Sequence, residues 1–549
     1  MANKDKMGLF SCVALIIGAC IGSAIFSISG VTIYYAGASA ILSWVLAAFI
    51  YGLYGLLVTE LASIFPRSGG IYIFPRLAIG GDKGIFLGFL SGWGYIISNI
   101  IAIAFSAIYI GIYLAAGFPA LKSGTLIAVI SILAAIVILS VSNRRSQRIQ
   151  NVLVVILIAI IVFYCALALF GGGFDTSGFA DFFTSGSKGK SGFLSAIPLA
   201  MVAYGGCVSI AFIATEVRRP EKNIHRSLFI GLGIVALLYA ALIASIVGTL
   251  PISILYEDEG MRYIPLFASI SHGGLSAYPW LTKIICICIT IALLTTICIL
   301  LRVNSRAMQA ISKEGLLPAF IKKDNKQGTA YNALLVMAVI CCALCFKPEW
   351  TEEMIKLGAV LNIVSMTITC FSLIAAKKKA VTSAIVTVII LVICYIPEIN
   401  RGSRTMWIFT ASVYIAGLIF YLIYRKRSSR HPLRVSGTVV HGKGHGRIHS
   451  IPTANLELDE GCDIPVFGVW ATKVFIEDKE YRGLTNVGYR PTDDDFNTPT
   501  VETKVIDYDG DLYGKRMSLE FLRYIRGTRK FANMEELHRQ IEEDFSKIK

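Results

Sequence analysis

Charge is what this sequence has least of. Only 16% of its 549 residues are Asp, Glu, Lys or Arg, and 55% are hydrophobic. A soluble domain carries about a quarter charged residues, so a chain that is soluble throughout is excluded. Acidic residues are the scarcer sign, 36 against 51 basic, which leaves a formal net charge of +15. Histidine is rare as well, with seven in all. The thirteen cysteines include one CxxC spacing, Cys342 to Cys345, set in the apolar run AVICCALC. No second CxxC, histidine pair or polar cluster stands near it, which argues against a zinc or redox centre there. Those thiols read as small buried side chains between helices, and nothing demands an oxidising compartment.

The positive excess is not spread like a nucleic-acid footprint. It sits in short clusters between apolar runs: Arg144-Arg145-Ser146-Gln147-Arg148, Arg218-Arg219, Lys377-Lys378-Lys379 and Arg425-Lys426-Arg427. Clusters in alternate loops follow the positive-inside rule and imply contact with a membrane surface, not with nucleic acid. The apolar excess ends near Tyr424, and charges crowd in from Arg425. Two physical classes therefore share the chain: a membrane part, and a soluble part of roughly a hundred residues, enough for one small core.

A transmembrane helix needs about 20 mostly apolar residues. Twelve stretches qualify, near 8–35, 37–65, 85–115, 125–142, 152–172, 193–215, 227–250, 280–301, 331–346, 354–376, 380–396 and 405–424. The first is too long for a signal peptide and lacks a clean cleavage site, so it reads as a mature helix. With the N-terminus inside, the Lys- and Arg-rich loops face the cytoplasm, and an even helix count returns the chain there. The expected location is the inner (cytoplasmic) membrane, multi-pass, with the N-terminus and the soluble part cytoplasmic.

Two of the stretches are interrupted by glycine. The first contains GACIGSAIF, Gly18 to Phe26, and the sixth AYGGCVSIAF, Ala203 to Phe212. Glycine weakens helix propagation, and broken backbone within a bilayer is tolerated where it lines a cavity or is buried in protein. Breaks in helices one and six fit an inverted-repeat transporter, with freed amides facing an anionic substrate group. Close helix packing through small residues accounts for the glycines equally well.

Four ordered motifs then become specific: IGACIGSAIF, ELASIFPRSGGIYIF (Glu60 to Phe74), TEVRRPEKNIHRSL (Thr215 to Leu228) and SRAMQAISKEGLLPAF (Ser305 to Phe320). Together they resemble the amino acid–polyamine–organocation permeases, over Gly8 to Tyr424. The resemblance implies a LeuT-like fold of two five-helix inverted repeats plus two helices. It places a transport site at Ile21, Gly22, Ser23, Ala24, Ile25, Ala203, Tyr204, Gly205, Gly206 and Cys207, with Tyr204 as an aromatic gate. Ala24 stands where the family usually has a third glycine. Cys207 and Val208 stand where some amino acid permeases carry Glu or Asn, and no lysine appears in the fifth helix. Thr295 and Thr296 are available either to ligate sodium or to bond back to their own helix.

After the basic linker 425–434, which reads equally as a segment lying on anionic lipid or as simple stop-transfer charge, the pattern switches to period two. SGTVVHG, GVWATKVFI, YRGLTNVGY, VETKVIDY and RMSLEFLRYI read as strands. MEELHRQIEEDFSKI has helical spacing. A small β-barrel with a C-terminal helix is expected. At its start, Gly442, Gly444 and Gly446 allow an anion nest, flanked by the donors Lys443 and Arg447. Thr453 and Asn455, two apart on extended backbone, face one side and offer hard oxygens suited to Mg²⁺. Glu502 is a candidate general base, although its spacing alone equally describes a surface carboxylate.

GTVVHGKGHGRIHSIPTANL, FGVWATKV, NVGYRPT, VETKVIDYDGDLYG, YIRGTRKF and EELHRQIEED, in this order, resemble riboflavin kinase across Val435 to Lys549. The resemblance implies a six-stranded Greek-key barrel that transfers the γ-phosphoryl of ATP to riboflavin, giving FMN. It makes Thr453 and Asn455 the Mg²⁺-nucleotide site, the 442–447 loop a phosphate flap and Glu502 the base. Val505, Asp507 and Tyr513 fall near the nucleotide, and Arg526, Arg529 and Phe531 border the flavin. Two positions depart from the family's habit, His449-Ser450 and Thr528; neither removes a metal ligand or the base. No adenylyltransferase segment precedes the barrel, so FMN, not FAD, is the expected product. The domains are thus expected at 1–424 (permease), 425–434 (linker) and 435–549 (kinase). The partners expected are the bilayer, riboflavin, ATP and, on the alternative reading, an amino acid.

Overall fold

The computed structural model describes residues 6–65, 70–121, 123–140, 143–171, 173–276, 279–325, 329–376, 385, 387–389, 404–430, 433–440, 453–459, 468–477, 479–488, 500–508, 510–527 and 534–546. They divide into two units. One gathers Met1–Phe74, Leu90–Ala310 and Phe320–Gly417, the other Pro75–Phe89, Ile311–Ala319 and Leu418–Lys549.

The first unit is helical. Its helices begin with α1 (Leu9–Cys20), α2 (Ser23–Ala36) and α3 (Ala40–Ile64). The helix α4 (Ile73–Ala78), most of which belongs to the second unit, leads into α5 (Gly81–Gly117), which passes into the first unit at Leu90 and is followed by α6 (Gly124–Ser140) and α7 (Asn143–Phe170). After them come α8 (Lys190–Val202), α9 (Pro220–Thr249) and the short α10 (Ile252–Glu257), α11 (Glu259–Arg262) and α12 (Pro265–Ser271). The set closes with α13 (Pro279–Lys313), α14 (Tyr331–Cys345), α15 (Thr351–Ala376) and α16 (Arg404–Arg430). Among the described residues, eight helical segments are long and apolar enough to cross a bilayer, fewer than the twelve expected. One of the eight, Ser23–Ala62, runs through both α2 and α3, whereas α1, α6 and α14 are shorter apolar helices. The expected span at 380–396 lies largely outside the described residues.

Large apolar side chains face outward without a polar cover. Phe49, Val137, Phe170, Leu237 and Val339 are all exposed, on a scale that a water-facing surface does not carry and lipid does. The protein is a multi-pass membrane protein. Just past the sixth expected span, Glu216 is buried against Arg302 and Arg306, and Arg306 also reaches Asp324 at 3.0 Å. Burial pushes the Glu216 carboxyl up, but the two guanidiniums outweigh it and hold the group below its ordinary range. A buried carboxylate persists only with such partners.

In the second unit, six antiparallel strands close a barrel in the order β1-β2-β5-β4-β3-β6. They are β1 (Leu433–Val440), β2 (Ala454–Leu458), β3 (Gly468–Ile476), β4 (Lys479–Gly488), β5 (Thr500–Val505) and β6 (Arg516–Arg526), with the helix α17 (Met534–Ser546) after them. The non-sequential pairs β2–β5 and β3–β6 are Greek-key crossings. Five of these strands were legible as alternating patterns; β2, five residues long, was not. Val435, Val439, Leu456, Val474, Val487, Val501, Leu519 and Phe521 fill the interior. A hydroxyl ladder crosses it, Thr472 to Thr485 at 2.8 Å and Thr485 to Thr503 at 3.0 Å, so each buried hydroxyl has a partner.

One glycine of the barrel is required by geometry. Gly468 has φ +145°, and a Cβ there would lie 2.4 Å from the Arg526 carbonyl oxygen and 2.6 Å from the Tyr524 ring. Gly468→Ala is expected to destabilise the barrel by about 2–4 kcal/mol through backbone strain and overpacking. A urea titration of the full chain, followed by kinase activity, should show an earlier midpoint. An unchanged midpoint contradicts this reading of the strand.

Candidate functional site

The barrel displays its chemistry on one outer row. In β2, Ala454 and Leu456 are buried and Asn455 between them is half-buried. The same alternation leaves Glu502 between buried Val501 and Thr503, and Asn486 between buried Thr485 and Val487. Register puts these three outward residues side by side, since Asn455 pairs with Glu502 and Glu502 with Asn486. Directly opposed residues share a face, so a carboxylate stands between two amides. Thr453, half-buried, immediately precedes β2, two residues before Asn455. The row therefore has one group able to take a proton and neighbouring oxygen donors of the hard type that Mg²⁺ accepts. Among the described residues no group of three or more His, Cys, Asp or Glu gathers to hold a metal. Mg²⁺ bound by Thr453 and Asn455 would draw its remaining ligands from phosphate and water, as it commonly does in nucleotide sites.

The other residues expected near the nucleotide and flavin spread around this row. Val505 and Tyr513 pack against the barrel core. Asp507 has φ +59° and pairs with Arg482 at 3.8 Å. Arg526 continues the row through β3, since Val469 pairs both with Asn486 and with Arg526. Its guanidinium is tied at 2.7 Å to Asp544 of α17, a carboxylate with 0% exposure. Gly442, Lys443, Gly444, Gly446, Arg447, Arg529 and Phe531 lie outside the described residues. Asn486 was missed by sequence reasoning. It stands in the NVGYRPT motif, but only register reveals it as a neighbour of Glu502.

The family model described as "Amino acid permease" matches residues 7–424, and the riboflavin kinase model matches 429–549. The chain belongs to the amino acid permease family. The chain is 24% identical over 457 residues to the branched-chain amino acid permease BcaP of Bacillus subtilis, covering 78% of this chain and 94% of that one. It is 26% identical over 443 residues to the methylthioribose transporter of Bacillus subtilis, covering 76% and 87%. Its tail is 36% identical over 115 residues to the bifunctional riboflavin kinase/FMN adenylyltransferase of Bacillus subtilis, covering 21% of this chain and 36% of that protein. The C-terminal domain is a riboflavin kinase domain.

The permease's two interrupted helices meet in the first unit. α1 stops at Cys20, Ile21 and Gly22 leave helical geometry, and α2 starts at Ser23. α8 stops at Val202, and Gly205–Glu216 continues as a 3-10 helix with non-helical backbone at Ile213. The two breaks abut, because a Cβ on Gly206 would lie 2.2 Å from the carbonyl of Ala19. Ser23, Ala24, Ile25, Ala203 and Cys207 are buried beside them. Breaking a helix frees carbonyls, and side chains from elsewhere satisfy them. Tyr239 Oη donates to the Cys20 carbonyl at 2.6 Å, and Ser23 Oγ meets Ser106 Oγ at 3.0 Å. Tyr204 is fully buried, donates to the Trp44 carbonyl at 3.0 Å and packs its ring against Trp44 and Tyr239.

The two threonines of α13 differ. Thr295 Oγ1 bonds back to the Ile291 carbonyl at 2.9 Å, whereas Thr296 Oγ1 stands 2.9 Å from the Ile21 carbonyl, 3.1 Å from that of Gly18 and 3.3 Å from that of Ala292. Three residues of this site had escaped notice in the sequence. Asn362 Nδ2 donates to Tyr51 Oη at 3.0 Å, both stand beside Gly205, and Tyr239 caps the break. Asn362 is a polar residue inside an apolar helix, and that is a signal sequence could have used.

Proposed function

We propose that this protein carries riboflavin across the membrane and phosphorylates it to FMN with ATP on the cytoplasmic side. The observation that carries this reading is the fusion itself: a permease and a riboflavin kinase domain in one chain. Phosphorylation adds about −1.5 to −2 charges at pH 7, and a dianion neither crosses lipid readily nor suits a site shaped for neutral riboflavin. A kinase tethered by a short linker meets arriving riboflavin at high local concentration. The methylthioribose transporter among the relatives supports a cargo outside the amino acids. BcaP, the branched-chain amino acid permease, supports the second reading, an amino acid permease whose kinase is independent or regulatory.

In the kinase step, Glu502 takes the proton of riboflavin's terminal ribityl hydroxyl as that oxygen bonds to the γ-phosphorus of ATP. The bond from the γ-phosphorus to the β–γ bridging oxygen breaks, and ADP leaves. Asn455 and Asn486 hold the carboxylate's flanks, and Thr453 and Asn455 position the nucleotide. Mg²⁺, when bound, neutralises phosphate charge, as phosphoryl transfer generally requires.

Counterflow separates the two readings. Vesicles containing Glu502→Gln protein should exchange labelled riboflavin against unlabelled riboflavin inside, with no trapping to confuse the count. Exchange of a branched-chain amino acid with none of riboflavin overturns the proposed cargo and leaves the kinase domain standing.

A further inference from the structure

We infer that the cytoplasmic end of the permease grips the kinase barrel beside its flavin-bearing strand and that this grip sets the barrel's affinity for riboflavin. The second unit is built from three pieces of chain, of which Pro75–Phe89 and Ile311–Ala319 fall inside the permease match and Leu418–Lys549 carries the barrel. Arg76 of α4 is the hinge pin of that unit. It is 2% exposed. Its guanidinium lies 4.3 Å over the ring of Tyr524 and 5.9 Å from that of Trp470, and its Nε stands 3.4 Å from Glu314. A guanidinium removed from water needs an opposite charge and π faces to remain there. Here the charge comes from one permease segment and the rings from the barrel.

The backbone follows the same path. A Cβ on Gly80, where φ is +70°, would lie 3.8 Å from the Tyr524 ring, and one on Gly527 would lie 3.6 Å from the Leu77 carbonyl oxygen. Asp82 pairs with Arg425; Phe86 meets Tyr421 edge to face and Phe89 meets it tilted, with centroids 5.3 and 5.4 Å apart. α4 thus touches β6 of the barrel, and the start of α5 touches α16, the helix that precedes the barrel.

Its position matters for the kinase. Tyr524 and Trp470 are cross-strand partners packed edge to face at 5.2 Å. The next pair along the same ladder is Val469 with Arg526, which belongs to the row of Asn486, Glu502 and Asn455. Bulges interrupt β3–β6 at this point, so the strand ends there are set by side-chain packing more than by the ladder. The inference rests on the kinase domain and holds whichever solute is carried.

The test uses the full chain in nanodiscs with Mg-ATP. Arg76→Gln is expected to raise the KM for riboflavin at least about fivefold, the scale of a lost desolvated cation–π contact, with kcat within about twofold. Tyr524→Leu should do the same, Tyr524→Phe should keep wild-type values because the ring remains, and the double variant should be no worse than the stronger single one. Should Tyr524→Leu fail to fold, Arg76→Gln decides alone, since Arg76 lies outside the barrel. A KM within twofold of wild type for Arg76→Gln, or effects that multiply in the double variant, overturns the inference.

Discussion

Glu502→Gln is expected to lower kcat for FMN formation by about 10³-fold, within the range for loss of a general base. The replacement keeps the size and shape of the side chain on the row between Asn455 and Asn486 and removes only its charge, so the barrel fold should survive. On the proposed mechanism, what is lost is the ability to take the ribityl proton. The KM for ATP should stay close to wild type, because the nucleotide is held by other groups. Asn455→Ala with Thr453→Ala should instead weaken Mg-ATP binding, visible as a higher KM for ATP and a steeper Mg²⁺ dependence. Steady-state kinetics separate the two signatures. A Glu502→Gln enzyme within fivefold of wild type would show that the carboxylate is a bystander.

The second large effect is on the permease. Gly206→Val should abolish uptake while leaving kinase activity in detergent intact. A Cβ at residue 206 would fall 2.2 Å from the backbone carbonyl of Ala19 and 2.7 Å from the Cys20 nitrogen. Backbone cannot swing aside as a flexible side chain can, so the two helix breaks must separate. Separating them strips Tyr239 from the Cys20 carbonyl and Thr296 from that of Ile21, which exposes unsatisfied backbone in an apolar setting. The barrel lies in the other unit and has its own core. Uptake above a tenth of wild type in vesicles of normal protein content would contradict the abutment. Loss of kinase activity as well would contradict the independence of the barrel's fold.

Legibility in the sequence followed the range of the interactions. Alternation over eight to eleven residues marks β1, β3, β4 and β6, and the spacing of Thr453 and Asn455 marks their shared side, because both are local facts of extended backbone. β2 escaped because five residues after Pro452 hold too few alternations to stand out. The glycines of both breaks were legible as weak helix formers, but glycine composition alone equally described close helix packing. Asn486, Asn362 and Tyr51 take their meaning from partners far along the chain, Tyr51 and Asn362 being 311 residues apart. Arg526 shows the converse. The family resemblance assigns it to the flavin, and the structure adds a structural tie to buried Asp544 that spacing does not reveal. The grip of α4 on β6 left no trace in either local pattern, since one partner reads as a permease loop and the other as an ordinary strand end.

The most direct test of coupled uptake and trapping is luminal product in sealed vesicles. The full chain is reconstituted and the fraction with the kinase facing inward is loaded with Mg-ATP, with riboflavin supplied only outside. FMN should accumulate inside to a total flavin concentration above that outside, and Glu502→Gln vesicles should stop at equal riboflavin on both sides. Vesicles whose purified protein makes FMN in detergent, yet which gather no luminal flavin, would contradict the account.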